Sequence, residues 1–213
     1  MKPALLPRFK YAALVLAAGV AGFPQAHGYL VTITPGPRAI YLQVGVGTIG
    51  GSGSFTTGGT PQDNTTINSV TVTVPAAALG TGSRAMTSDS TVAISSYDSY
   101  NFCTPPAQVY VGGFYRLPGA GANASLSVTT PPNLLNAAAD TIPFSTISWV
   151  SGGNGDPAAT IPSGTFAGVP AQALLPIQAN RWFESCLTFN FSNAAAYAAG
   201  TFNGRAIYTL TAP

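Results

Sequence analysis

Short runs of β-branched and aromatic residues recur along the chain between clusters of Gly, Pro and Asn, and helical periodicity is almost absent. Successive side chains of a strand point to opposite faces, so such runs read as strands and the clusters as turns. The pattern predicts strands at Tyr29–Thr34, Ala39–Val46, Ile67–Val74, Thr91–Ser95, Gln108–Tyr115, Ala124–Thr130, Ser145–Val150, Ser185–Phe191 and Phe202–Thr211. The clearest alternation closes the chain: Phe202, Gly204, Ala206, Tyr208, Leu210 and Ala212 share one face, and Asn203, Arg205, Thr209 and Thr211 the other. That strand is expected to be half-buried. Loops are marked by Gly50–Gly53, Gly58-Gly59, Gly80–Gly82, Pro105-Pro106, Pro131-Pro132 and Gly152–Pro157. Two alanine-rich stretches, Asn133–Ala139 and Asn193–Ala199, each begin with an Asn suited to N-capping and predict one or two short helical turns. Many short strands between turn signals define an all-β fold, an antiparallel β-sandwich.

The first residues depart from this pattern. Lys2, Arg8 and Lys10 precede an uncharged apolar run, Tyr11–Gly22, and small residues stand at Ala26 and Gly28. A basic segment, an apolar segment and a small-residue cleavage site make a signal peptide, 1–28. The apolar run is 12 residues long, short of the roughly 20 that a bilayer-spanning helix needs. The expected mature chain, 29–213, is a single exported domain without membrane insertion, working in the periplasm, outside the cell or on its surface.

Removing 1–28 changes the charge. Arg38, Arg84, Arg116, Arg181 and Arg205 remain against Asp63, Asp89, Asp98, Asp140, Asp156 and Glu184, five charges against six, so the net of +2 becomes −1. A chain this poor in charge offers no basic stripe for a phosphate backbone, and no nucleic-acid partner is expected. Cys103 and Cys186 are the only cysteines, and in an oxidising compartment a single pair reads as a disulfide.

The same cleavage strips the chemistry. His27, Lys2 and Lys10 all lie in the signal segment, which leaves neither His nor Lys for a Ser-His-Asp, Cys-His or Ser-Lys site. Imidazole- and thiolate-based metal sites and glycine-rich phosphate loops are likewise missing from the sequence, so no metal and no cofactor is expected. A carboxylate pair survives this filter, with Asp89, Asp98, Asp140, Asp156 and Glu184 as its candidate members. Loop aspartates beside Ser and Asn more often close turns. The strongest binding feature is aromatic: Tyr97, Tyr100, Phe102, Tyr110, Phe114 and Tyr115 are six rings within 19 residues. Tyr97, Tyr100, Tyr110 and Tyr115 are candidate ligand-binding residues for a sugar-stacking platform. Strand parity sets Tyr110 and Phe114 on one face and Val109, Val111 and Tyr115 on the other, which favours a core role for half of the cluster.

Both ends of the mature chain carry alternating strands. Ile40, Leu42, Val44 and Val46 share one face of Ala39–Val46, and Gly200, 14 residues from the end, leads into Thr201–Pro213 with Phe202, Tyr208 and Leu210 on one side. This arrangement resembles the chaperone-usher fimbrial subunits, the immunoglobulin-like pilins of Gram-negative bacteria. The resemblance implies an immunoglobulin-like sandwich in which 29–46 acts as a donor-strand extension and the C-terminal strand edges a receiving groove. It implies partners as well: other copies of the chain or other pilus subunits, and a periplasmic chaperone. Ile40, Leu42, Val44, Val46, Phe202, Tyr208 and Leu210 are the strand-exchange candidates. Here the chain departs from the family pattern at Ala212, at the terminal Pro213 and at Pro35-Gly36-Pro37.

The leading expectation is an exported, non-catalytic structural or adhesive surface protein assembling by β-strand addition. A secreted carbohydrate-binding module using the aromatic cluster, and a secreted carboxylate hydrolase, are the alternatives. An outer-membrane barrel is disfavoured by the Ser- and Thr-rich polar faces and by the proline pairs between strands.

Overall fold

The computed structural model describes residues 32–48, 67–154 and 161–213. The predicted signal segment, Tyr29–Val31, Asp63 and Asp156 lie outside these described residues. Within them the chain is all-β and antiparallel. The first strands are β1 (Ala39–Val44), β2 (Gly47–Thr48), β3 (Val70–Thr71), β4 (Arg84–Ala85), β5 (Thr87–Ser88), β6 (Val109–Arg116) and β7 (Ala124–Thr129). There follow β8 (Asn133–Leu135), β9 (Thr141–Pro143), β10 (Ile147–Gly152), β11 (Gly164–Thr165), β12 (Gln172–Ile177), β13 (Arg181–Phe191) and β14 (Ile207–Thr211).

The large sheet runs β11-β10-β13-β6-β1-β2, and β4 joins it against β13. A second sheet runs β12-β7-β14, and β3-β5 and β8-β9 form two-stranded ribbons. The long β13 organises the large sheet. Its first half pairs with β6, Arg181 opposite Tyr115 through Ser185 opposite Val111, and its far end pairs with β4, Phe191 opposite Arg84. β4 thus takes the place beside β13 that β6 leaves open, and the chain between β5 and β6 makes an excursion off the sheet.

Alternation decides what each face buries. Leu42, Val111, Tyr115, Phe183, Leu187 and Phe189 from the large sheet meet Leu126, Val128, Leu174, Ile177 and Leu210 from the second sheet in one core. On the opposite face of the large sheet, Tyr110, Phe114, Trp182 and Cys186 meet Ile33, Phe102 and Cys103, with Tyr41, Val92 and Tyr97 packed against them. Both faces of β6 and of most of β13 are therefore buried, which explains why β6 reads as a near-continuous apolar run. The excursion is pinned to the sheet by the Cys103–Cys186 disulfide, with 5.5 Å between the Cα atoms. Close backbone approach explains Gly113: a Cβ there would stand 2.2 Å from the carbonyl oxygen of Tyr41 on the neighbouring β1.

The β1, β6 and β7 expectations hold within a residue or two. Others change. The expected helical turns at Asn133–Ala139 and Asn193–Ala199 are absent, and 3₁₀ turns form instead at Ala76–Ala78 and Phe144–Thr146. Asn133–Leu135 is strand β8, and the Asn136 side chain closes a tight turn by accepting from the N–H groups of Ala138 and Asp140 at 3.0 and 2.8 Å. Asn193 is buried and donates to the Ala78 carbonyl rather than capping a helix. Seven-residue helices gain too few hydrogen bonds to outweigh nucleation, so local Asn bonding prevails. Thr91–Ser95 lies in the excursion and makes only a single bridge, Ile94 with Asn101. The last strand starts at Ile207, because Asn203 bridges back to Leu135.

Candidate functional site

The aromatic cluster forms much of the outer layer. Tyr110 and Tyr115 are fully buried, on opposite faces of β6 as their parity requires, so neither reaches a ligand at the surface. Phe102 meets Tyr110 edge to face with centroids 6.1 Å apart, and Tyr41 stacks on Trp182 at 5.8 Å. Tyr97 is half-buried, 5.6 Å from the Trp182 ring. Tyr100 is 59 % exposed. The six rings thus do not make a platform: Tyr100 alone among the four tyrosine candidates offers an open face.

Beneath these rings lies a buried polar group that the residue inventory missed as a unit. Glu184 projects from β13 to the outer face, and its Oε2 accepts from the hydroxyls of Ser95 and Tyr110, each at 2.7 Å. Beside it, Gln43 Oε1 accepts from Tyr41 at 3.0 Å and from Ser96, while its Nε2 donates to the Gly45 carbonyl at 3.0 Å. Burial pushes the Tyr110 hydroxyl far above the ordinary tyrosine range, and the Glu184 charge pushes the same way. The signal for this cluster was in the sequence: the chain's single glutamate sits inside an apolar strand.

Of the other described acids, Asp89 ties two segments together, while Asp98 and Asp140 bond within local turns. Asp89 accepts from Asn68 Nδ2 at 2.7 Å and the Ser69 N–H at 2.9 Å, and these bonds hold its carboxyl below the ordinary range. Asp98 accepts from the Tyr100 N–H at 2.9 Å, and Asp140 from Asn136 Nδ2 at 2.8 Å.

The strand-exchange candidates divide between the two sheets. Ile40, Leu42 and Val44 lie on β1, paired residue by residue with β6 of the same chain, Ile40 opposite Tyr115 and Val44 opposite Val111. Val46 follows the left-handed turn at Gly45, and its N–H donates to Asn68 Oδ1 at 2.8 Å. Phe202 precedes β14 and packs on the core, and Tyr208 and Leu210 face inward from β14.

β14 is the notable edge. It pairs with β7, Ile207 opposite Thr129 through Thr211 opposite Ser125, and no described strand pairs with its other side. The opposite edge, β12, is blunted by Pro176 and by an irregularity between Ala173 and Leu175. The end strands of the large sheet, β2 and β11, are two residues long. Proline, bulges and short length are the usual protections of an open edge. β14 has none of them, carries no charge, and presents Ile207, 49 % exposed, on its outer side. Ile207 interrupts the polar side of the alternation, between Arg205 and Thr209.

No helix among the described residues is long and apolar enough to cross a membrane. The disulfide fits an oxidising environment. Comparison of the chain with protein-family models, with curated proteins and with solved structures found no match.

Proposed function

We propose that this chain is an exported, non-catalytic structural or adhesive subunit of the cell surface, a fimbria-like protein that assembles by β-strand addition. The single observation that carries the reading is the edge of β14, a row of backbone donors and acceptors that no described strand pairs with, although β1 comes close to it. In this reading the two sheets are an immunoglobulin-like sandwich whose smaller sheet accepts one more strand along β14. An added strand pairs its backbone with that edge, and its alternate side chains extend the inner core begun by Tyr208 and Leu210. The strand comes from another copy of the chain or from another subunit, and a periplasmic chaperone covers the edge before assembly. The burial of Tyr110 and Tyr115 withdraws support from a stacking platform built on the aromatic cluster.

The test is the association state of the exported, processed protein, followed by light scattering across a range of concentrations. Concentration-dependent growth is expected, and Thr209→Lys, a charge placed on the exposed side of β14, abolishes it while the melting temperature holds. A wild-type protein that stays monomeric throughout, or a Thr209→Lys variant that associates like wild type, overturns the reading.

A further inference from the structure

β14 is centred on Thr209, and its two sides differ sharply. Ile207, Thr209 and Thr211 are exposed, while Tyr208 and Leu210 turn to the core, flanked by Ala206 and Ala212 on the same cluster. β7 pairs with one edge of the strand, and no described strand pairs with the other. β1 approaches β14 to within 8 Å, Cα to Cα, without pairing with it. Ile40 and Val44 of β1 pack on the core cluster that Tyr208 and Leu210 enter, so these two strands meet through their core-facing side chains.

A strand added at this edge has to keep apolar side chains on the core side, because a slip of one residue reverses every side chain. β14 meets that demand for itself. Laid antiparallel on a second copy about a two-fold axis through Thr209, it sets Thr209 opposite Thr209, Tyr208 opposite Leu210, Ile207 opposite Thr211 and Ala206 opposite Ala212. The apolar pairs then all lie on the core side of both copies, and the outer side holds only threonine and isoleucine, which suit cross-strand pairing. No residue of Ile207–Thr211 is charged, and Arg205, the nearest charge, falls opposite Pro213 of the second copy and not opposite its own counterpart. Nothing in this edge repels itself.

We propose that β14 pairs antiparallel with β14 of a second copy of this chain, joining their three-stranded sheets into one continuous sheet. A two-fold contact uses the same patch on both copies and closes on itself, so the pair admits no third member there. The inference rests on the reading of β14 as a strand-accepting edge, and it names the occupant of that edge when neither a chaperone nor a donated strand covers it. The closed pair competes with strand addition and holds back growth. Five paired residues from each copy make a small contact, below the roughly 1,200 Å² at which stable complexes begin, so the pair exchanges and yields to a longer donated strand.

The experiment is oxidative cross-linking of the processed full chain carrying a single added cysteine, Ile207→Cys, Thr209→Cys or Thr211→Cys, all at exposed positions. Cys103 and Cys186 are buried and already bonded to each other, which leaves the added thiol to report the contact. Directly opposite residues hold their Cβ atoms about 4.5–5.5 Å apart, close to the reach of a disulfide. Position 207 and its own counterpart lie four residues out of register, about 13 Å apart, as do position 211 and its counterpart. Thr209→Cys is therefore expected to yield a covalent dimer, at least about tenfold more than Ile207→Cys or Thr211→Cys alone, and an equimolar mixture of those two is expected to recover it. Equal cross-linking of all three single variants, or a mixture that yields no dimer, overturns the inference. Large species in light scattering without the Thr209→Cys dimer overturn it as well and leave strand addition standing. A Thr209→Cys dimer from a protein that never grows beyond the pair upholds it and removes the thread-like assembly instead.

Discussion

The Tyr110 hydroxyl donates to Oε2 of Glu184 at 2.7 Å across neighbouring strands of the large sheet. Both residues are buried, and the same oxygen is held by Ser95. Tyr110→Phe leaves the ring packing intact and deprives the carboxylate of one of its two donors. Under-solvating a buried charged acceptor costs about 1–3 kcal/mol. Urea denaturation at neutral pH is expected to show that loss, and an unchanged midpoint would mean the bond contributes nothing.

Alkaline pH tests the same pair differently. Burial raises the ionisation of Tyr110 above that of an unfolded tyrosine, which titrates near pH 10. Below that pH both states keep the proton and the pair's contribution is fully present. Above it the unfolded chain releases a proton that the folded chain retains, so stability falls as pH rises, by up to about 1.4 kcal/mol per pH unit for this group. Tyr41, raised by burial in the same direction but partly exposed, contributes less. Denaturation curves between pH 8 and 11 are expected to decline more shallowly for Tyr110→Phe than for wild type. Equal slopes would assign the decline elsewhere.

Gly113 and Gly80 separate steric contact from backbone conformation. A Cβ on Gly113 meets the Tyr41 carbonyl of the paired strand, and no side chain can move aside to admit it. Gly113→Ala is expected to cost about 3 kcal/mol, the upper range for overpacking, by prising β1 from β6. Gly80 has φ +71° and open space around it. Gly80→Ala is expected to cost about 1 kcal/mol from the left-handed conformation alone. Thermal melts of the two variants rank them, and a smaller effect at Gly113 contradicts the β1–β6 register.

The disulfide fastens the outer layer. Replacing Cys103 and Cys186 with alanine is expected to lower stability by about 2–5 kcal/mol. The change is local before it is global: amide exchange in residues 89–106 quickens, while the amides of β6 and β13 stay protected. Uniform acceleration across both would show that the layer and the sheet unfold as one unit.

Strands whose side chains alternate or run apolar were legible in the sequence. Ala39–Val44 and Ala124–Thr129 have the pattern that their half-buried faces demand, and Val109–Arg116 shows by parity which ring meets which core. Gln172–Ile177 was not legible, because Pro176 stands inside it, and a proline is tolerated there only on an edge that sequence does not reveal. Thr91–Ser95 has strand composition but only a local bridge, Ile94 with Asn101, since the disulfide and Glu184 draw the excursion across the sheet instead of along it. Of the candidate site, the C-terminal edge strand was visible through its alternation, and its protection or lack of it depended on neighbours that only the fold supplies.

Residues 89–106 cover one face of the large sheet, and β7, β12 and β14 cover the other. Neither face is free to stack on a neighbour. The strand addition proposed above uses the margins instead, in the plane of a sheet, where the chain offers a line of backbone groups and not a plane of side chains. Growth by that proposed route has one dimension: it lengthens a thread and does not thicken it, and the flanks it leaves bare are poor in charge and rich in hydroxyls.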